Sequence, residues 1–243
     1  IKSIFLWRKC SSRWWNTSLF ALWKNCFRVN FKRFIIVKNK LVISIFIIWL
    51  FNISGIIGIL SPYSDWFLGL TPLNLLIYIL LITWSIEGLS KKYIYAFSIP
   101  FFLGFITEFL GVNYGLLFGS YAYGENLGVK IGGVPLIICV NWAVLTIVTA
   151  DLSSLIIKNK ILRSLLGGFL MMILDIIIEI SAPRFDFWEF ENNTIPLKNY
   201  IAWFVIGSIA HYLYHQFKIK TDKKISIHIF VAITIFFFTF LLF

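Results

Sequence analysis

The chain has 243 residues, of which 59% are hydrophobic, 19% aromatic and 14% charged, whereas about a quarter of an ordinary soluble domain is charged. This composition is that of an integral membrane protein and argues against a soluble globular domain. The chain has 22 Lys and Arg against 11 Asp and Glu. This excess of positive charge does not indicate a nucleic acid as partner, because membrane proteins retain positive charge on their cytoplasmic loops.

The first 40 residues are basic, rich in Trp and Phe, and too often interrupted by charge to cross a bilayer. We expect residues 1–40 to form an arm that lies on the anionic inner leaflet. Alternatively, this stretch is a translation artefact upstream of a start near Val37. The remaining residues, 41–243, are expected to form one transmembrane helical domain.

Seven apolar runs follow in chain order, and each is about the 20 residues that a membrane-spanning helix needs. A helix pairs its own peptide groups, which would otherwise be unsatisfied in lipid. The pattern therefore predicts an all-α, polytopic transmembrane bundle of about seven helices, with ends uncertain by several residues. The predicted spans are 41–60, 66–87, 93–112, 134–157, 161–181, 198–217 and 224–243.

Lys and Arg are concentrated in alternate segments between these spans. Only three of the 22, Lys130, Arg184 and Lys198, fall on the opposite side from the N-terminal segment. Cytoplasmic loops carry the excess of Lys and Arg, so the N-terminus is predicted to be cytoplasmic and the C-terminus external.

Ionisable and polar residues inside a bilayer are costly, and each is a candidate for function. With a rise of 1.5 Å per residue, Glu108 lies near the outer end of the third span, and Asp175 and Glu179 lie in the outer third of the fifth. Asn141 enters from outside on the fourth. These four side chains are expected at one depth.

Asp175 and Glu179 are four residues apart and therefore share one helix face. Two close carboxyl groups in a dry site cannot both ionise cheaply, so one would keep a proton that it can donate. The alternative is a structural pair of acids held by Arg184 and by hydrogen bonds between helices.

Other polar residues have simpler explanations. Glu87 and Asp151 lie at inner helix ends, where a charge reaches headgroups and water. His211 and His215 could form half of a metal site, but with only one other histidine, His228, a histidine-rich di-iron centre is implausible. No dinucleotide or phosphate-binding motif is present, so neither a metal nor an organic cofactor is predicted.

A stretch of small and hydroxylated residues interrupts the apolar sequence, "TEFLGVNYGLLFGSYAYGENLGVKIGGVPLIICVNW" from Thr107 to Trp142. A second block contains "DIIIEISA" with Asp175 and Glu179, "FWEF" around Trp188, and "IPLKNYIAW" from Ile195 to Trp203. Together these blocks resemble the membrane-embedded carotenoid biosynthesis family that includes bacterial ψ-end carotenoid hydratases and archaeal bisanhydrobacterioruberin hydratase. The chain departs from the family's usual Gly-Phe-Pro-Phe-Gly-like residues at 115–119.

The resemblance implies addition of water across the terminal C-1′,2′ double bond of an acyclic carotenoid end, which gives a tertiary alcohol. The implied partners are membrane lipid and a carotenoid such as γ-carotene or lycopene, in the cell inner membrane. Our hypothesis makes Asp175 or Glu179 the proton donor and Glu108 the group that positions water. The expected substrate-binding or orienting residues are Asn141, Tyr121, Tyr123, Trp188 and Arg184, of which Arg184 tunes an acid rather than reacts.

Two other functions fit a polytopic bundle with acids in its outer half. A transporter of protons or small molecules would need a continuous polar path, and the first, second and seventh spans offer few polar residues. A non-catalytic scaffold for other carotenoid enzymes would tolerate amides in place of the acids.

Overall fold

The computed structural model describes residues 17–86 and 90–242. Of the predicted arm, residues 1–40, only residues 1–16 lie outside this part, as does Glu87. From Thr17 the backbone is helical, and the chain divides near residue 44 into two compact units, 1–44 and 45–243. The second unit contains the helical bundle and all of the candidate site.

The described chain is built from long helices joined by short loops, which confirms the predicted all-α, polytopic bundle. In chain order the helices are α1 (Thr17–Ile59), α2 (Ser64–Leu68), α3 (Thr71–Ser85), α4 (Lys91–Tyr114), α5 (Leu136–Ile156), α6 (Lys160–Glu179), α7 (Leu197–Tyr214) and α8 (Lys223–Leu242).

Within the described ranges, six segments are long and apolar enough to cross a membrane: Ile36–Ile59, Ser64–Ser85, Lys91–Tyr114, Leu136–Ile156, Lys160–Glu179 and Lys223–Leu242. The remaining predicted span, 198–217, forms helix α7, which ends at Tyr214 and has 18 residues. It is absent from the six because its composition is more polar than theirs. Its length still approaches that of the hydrocarbon core.

Helix α5 is the centre of the bundle. In its most apolar 18-residue window 78% of the residues are buried, and α3, α4, α6, α7 and α8 all pack against it. Trp142 and Ile147 on this helix have no exposed surface. A helix surrounded in this way holds its side chains rigidly, which suits residues that must be positioned for chemistry.

Small residues bring α6 and α7 close together. A Cβ on Gly168 would lie 2.6 Å from the backbone N of Ser208 and 2.7 Å from the backbone O of Phe204, and a Cβ on Gly207 would lie 3.2 Å from the Cα of Gly168. Such contacts allow close backbone approach between membrane helices. Two turns beyond Gly168, the same approach brings Asp175 beside α7.

Two small antiparallel ribbons complete the described part of the bundle. Strand β1 (Tyr121–Tyr123) pairs with β4 (Trp188–Phe190), so that Tyr123 is opposite Trp188 and Tyr121 is opposite Phe190. Strands β2 (Lys130–Ile131) and β3 (Val134–Pro135) form a hairpin. The first ribbon joins the loop before α5 to the loop before α7, both predicted to be external.

Replacing Gly168 with Ala should lower the stability of the bundle by about 1–3 kcal/mol, the usual cost of overpacking, because the new methyl group meets backbone atoms of α7. The measurement is thermal unfolding of the purified protein in detergent. Gly69→Ala is the control, because a Cβ there would contact its nearest atoms at 3.5 and 3.6 Å. Equal melting temperatures for the two variants would contradict the close packing of α6 on α7.

Candidate active site

Three acids from two helices line one cavity beneath the β1–β4 ribbon. Glu108 comes from α4, and Asp175 and Glu179 come from α6. Their side chains are almost fully buried, with relative exposures of 2%, 3% and 4%. The cavity has a volume of about 30 Å³, and since roughly 10–15 Å³ holds one water, it has room for about two.

Glu108 accepts three hydrogen bonds. The hydroxyl of Tyr121 donates to Oε2, the hydroxyl of Tyr123 donates to the same oxygen at 2.7 Å, and Trp142 Nε1 donates to Oε1 at 2.9 Å. An ionised carboxylate only accepts hydrogen bonds, so three donors fit its charged form.

The two tyrosines remain protonated donors. Burial raises the pKa of Tyr121 and of Tyr123, and the neighbouring Glu108 charge raises both further. Since the ordinary pKa of tyrosine is already about 10, both hydroxyls keep their hydrogens at neutral pH. The ribbon therefore delivers two neutral O–H donors to a carboxylate on α4.

Asp175 and Glu179 share one donor from α7. The amide Nδ2 of Asn199 donates to Asp175 Oδ2 at 3.1 Å and to Glu179 Oε1 at 3.0 Å. Trp188 Nε1 donates to Glu179 Oε2 at 2.9 Å. Both oxygens of Glu179 are thus engaged by N–H groups, whereas Asp175 Oδ1 has no partner within the described part of the chain.

Asn141 borders this cavity and a second one, which is lined by no charged residue of the described ranges. Among residues 17–86 and 90–242, no side chain or backbone group forms a hydrogen bond with its amide. An amide offers both donors and an acceptor, so this side chain can orient a water molecule at the junction of the two cavities.

The structure does not bring Arg184 to the acids. Its guanidinium lies 5.9 Å from the ring centre of Phe185 and 5.8 Å from that of Phe240, and the residue is exposed. The expectation that Arg184 tunes or holds the acid pair is corrected by this position. It lies in the turn after α6, where its side chain extends over apolar rings, and Asn199 occupies the bridging position instead.

Aromatic rings form the remaining walls of the cavity. Trp203 stacks on Trp142 with ring centres 4.4 Å apart and an 8° angle between planes, and Phe118 contacts both. The sequence patterns predicted no role for Asn199, Trp142 or Trp203. The signal was available for Asn199, because it is an amide near the start of an apolar run.

Two other polar residues have local explanations. His211 is buried, with Nδ1 2.6 Å from the Gly207 carbonyl and Nε2 2.7 Å from Thr149 Oγ1. It serves as a hydrogen-bonded core residue. Asp151 lies at the opposite end of α5 and does not line this cavity.

The chain matches the family of carotenoid biosynthesis proteins over residues 69–243. The chain belongs to the carotenoid biosynthesis protein family. The matched range contains every residue that lines the acid cavity. No curated protein matches the chain, and no solved structure matches it. The long apolar helices of the described ranges make this carotenoid biosynthesis protein a multi-pass membrane protein.

Tyr123→Phe should destabilise the protein by about 1–3 kcal/mol, because it removes one donor from a buried carboxylate. Thermal unfolding in detergent measures the loss. Tyr114→Phe is the matched control, since Tyr114 is 66% exposed and its hydroxyl has no hydrogen-bond partner in the described ranges. If both variants unfold at the wild-type temperature, the Tyr123 hydroxyl does not support Glu108.

Proposed function

We propose that this carotenoid biosynthesis protein is a carotenoid hydratase, which adds water across the terminal C-1′,2′ double bond of an acyclic ψ end. The observation that carries the proposal is the acid cavity itself. Three carboxyl groups in different hydrogen-bonding environments surround a space for about two waters, inside a bundle that apolar substrates reach through lipid. A hydration needs an acid, a base and water, and no redox partner.

Asp175 is the proton donor in this proposal. Glu179 accepts N–H donors at both oxygens, which suits a carboxylate, while Asp175 has one engaged oxygen and one free. Because two adjacent carboxyl groups cannot both ionise cheaply in a dry site, the proton resides on the free oxygen of Asp175. Glu179 then acts as a positioning residue that holds Asn199 and Trp188.

The reaction balances with these groups alone. Asp175 gives its proton to the less substituted alkene carbon, and the remaining carbon becomes a tertiary cation. Water held near Asn141 forms the new C–O bond, and its proton passes to the Glu108 carboxylate. Transfer of that proton back to Asp175 through cavity water restores both acids.

The aromatic walls stabilise the cationic intermediate. Ring faces attract cations, and the rings of Trp203, Trp188 and Phe118 line the cavity. They also limit the number of waters. A cation in this space is therefore captured by the one oriented water.

Three neighbouring cavities give the substrate a path. The acid cavity shares Ile138, Asn141, Leu145, Ile178 and Trp188 with the second cavity, of about 80 Å³. The second shares Thr71, Asn74 and Phe236 with a third, of about 360 Å³. The third is bordered by Leu50 and Trp66, which are exposed on the outside of the bundle.

This path suits a long, thin polyene whose tip is the reacting end. We propose γ-carotene, lycopene or a similar carotenoid with a ψ end as substrate, drawn from the cell inner membrane. The acyclic end is slim enough for a narrow passage, and the rest of the molecule stays among lipid chains. Membrane lipid is the second partner.

Asp175→Asn should remove hydrated product by roughly 10²–10⁴-fold, since it deletes the acid, and Glu179→Gln should reduce it strongly as well. The chain is expressed in bacteria that make lycopene or γ-carotene, and pigment masses are measured for a gain of one water. Glu189→Gln is the control, because Glu189 is an exposed acid on the same ribbon.

A pigment one water heavier with the wild type and with Glu189→Gln, and none with Asp175→Asn, supports hydration. Wild-type turnover in both amide variants at 175 and 179 contradicts the assigned roles. Unchanged pigments with the wild type on every substrate contradict the hydratase itself.

Leu75→Trp should lower hydrated product about ten-fold or more, because Leu75 borders the second cavity and an indole there overfills a narrow passage. Leu80→Trp is the control on the same helix, since Leu80 is 64% exposed and faces lipid. Both are scored by the same pigment assay. Normal turnover by Leu75→Trp would show that the substrate takes another route.

A further inference from the structure

A second polar pocket lies at the other end of the bundle. It has a volume of about 510 Å³ and is formed where α5 ends, α6 begins and the loop joins α7 to α8. None of its lining residues lines the acid cavity. It therefore needs its own explanation.

Cations dominate the lining of this pocket. Arg163, Lys218, Lys220 and Lys223 all border it. In the described part of the chain none of the four forms an ion pair within 4 Å. Four unpaired cations around one concave space leave a positive potential that an anion can neutralise.

Two nitrogen atoms in the pocket are buried without a hydrogen-bond partner, Arg163 Nε and His215 Nε2. Burial lowers the pKa of His215 to about 3, so the ring is neutral and can donate from one nitrogen. Buried donors are rarely left unpaired, because each costs free energy. Both are suited to an oxygen-rich ligand.

The one acid in the lining, Asp151, is already satisfied. Thr221 Oγ1 donates to its two oxygens at 2.6 and 2.5 Å, and Ser226 Oγ donates to Oδ2 at 2.6 Å. These bonds tie the loop to the end of α5 and hold the loop that carries Lys218 and Lys220. Asp151 thus shapes the pocket, and although its charge interacts with Lys223, one carboxylate against four cations leaves the lining net positive.

We propose that this pocket binds a phosphate group, either on an anionic lipid or free in solution. Guanidinium and ammonium groups are the usual phosphate ligands in proteins. The charge asymmetry of the loops places the pocket on the cytoplasmic side. There the helix ends lie at the depth of the headgroups, where basic pockets between helices bind anionic lipids. This pocket is separate from the acid cavity in which we propose the hydration.

The test uses the full chain purified in detergent. Native mass spectrometry measures retention of phosphatidylglycerol against phosphatidylcholine, and calorimetry measures binding of inorganic phosphate. Lys218→Met with Lys220→Met should weaken binding about ten-fold or more, since each charge-assisted contact is strong. Arg163→Met should weaken binding by a similar factor, and its melting temperature shows whether the variant folds. If Arg163→Met does not fold, the variant of the two exposed lysines, Lys218 and Lys220, provides the test.

Lys91→Met with Lys92→Met is the matched control. These two lysines are exposed and lie outside the pocket, and their replacement removes the same amount of charge. Preferential phosphatidylglycerol retention that only the pocket variants weaken supports a lipid phosphate. Phosphate binding with the same dependence supports a free anion. No binding of either probe beyond that of phosphatidylcholine, or equal weakening by both lysine pairs, overturns the proposal.

Discussion

The structure depends on one constraint, that a polar group surrounded by lipid must find its hydrogen-bond partner within the protein. Glu108, Asp175 and Glu179 are tolerated in the bundle because donors from other elements pair with them. Those donors come from the β1–β4 ribbon, from α5 and from α7. Each acid therefore ties together segments that are distant in sequence, and the cavity is a consequence of these ties.

Two structural features bring the hydrogen-bond donors close to the acids. The glycines of α6 and α7 let the helix backbones approach, which places Asn199 between the two acids of α6. The β1–β4 ribbon borders the cavity and adds the hydroxyl donors of Tyr121 and Tyr123 and the indole donor of Trp188. Rigid helices with a short ribbon position polar groups more precisely than a long loop would.

The two ends of the bundle have opposite chemistry. One end encloses three acids in a small cavity, while the other presents cations that form no ion pair in the described part of the chain, around a wider pocket. Helix α5 runs between them and contributes Asn141 and Trp142 at one end and Asp151 at the other. The proposed substrate tip and the proposed anionic group therefore belong to opposite ends of the bundle, so their sites do not overlap.

The helices could be predicted from sequence because apolar run length and charge alternation report directly on a bilayer. Depth along each span likewise indicated that Glu108, Asn141 and Asp175 lie at one level, since helical rise is constant. The hydrogen-bond partners of these side chains could not be predicted in this way. Helix rotation and the choice of which loops meet determine three contacts. Asn199 bridges the two acids of α6, Trp142 donates to Glu108, and Arg184 extends over phenyl rings. Those are decided by packing between elements, where a few ångströms or a fraction of a turn select the hydrogen-bond partner.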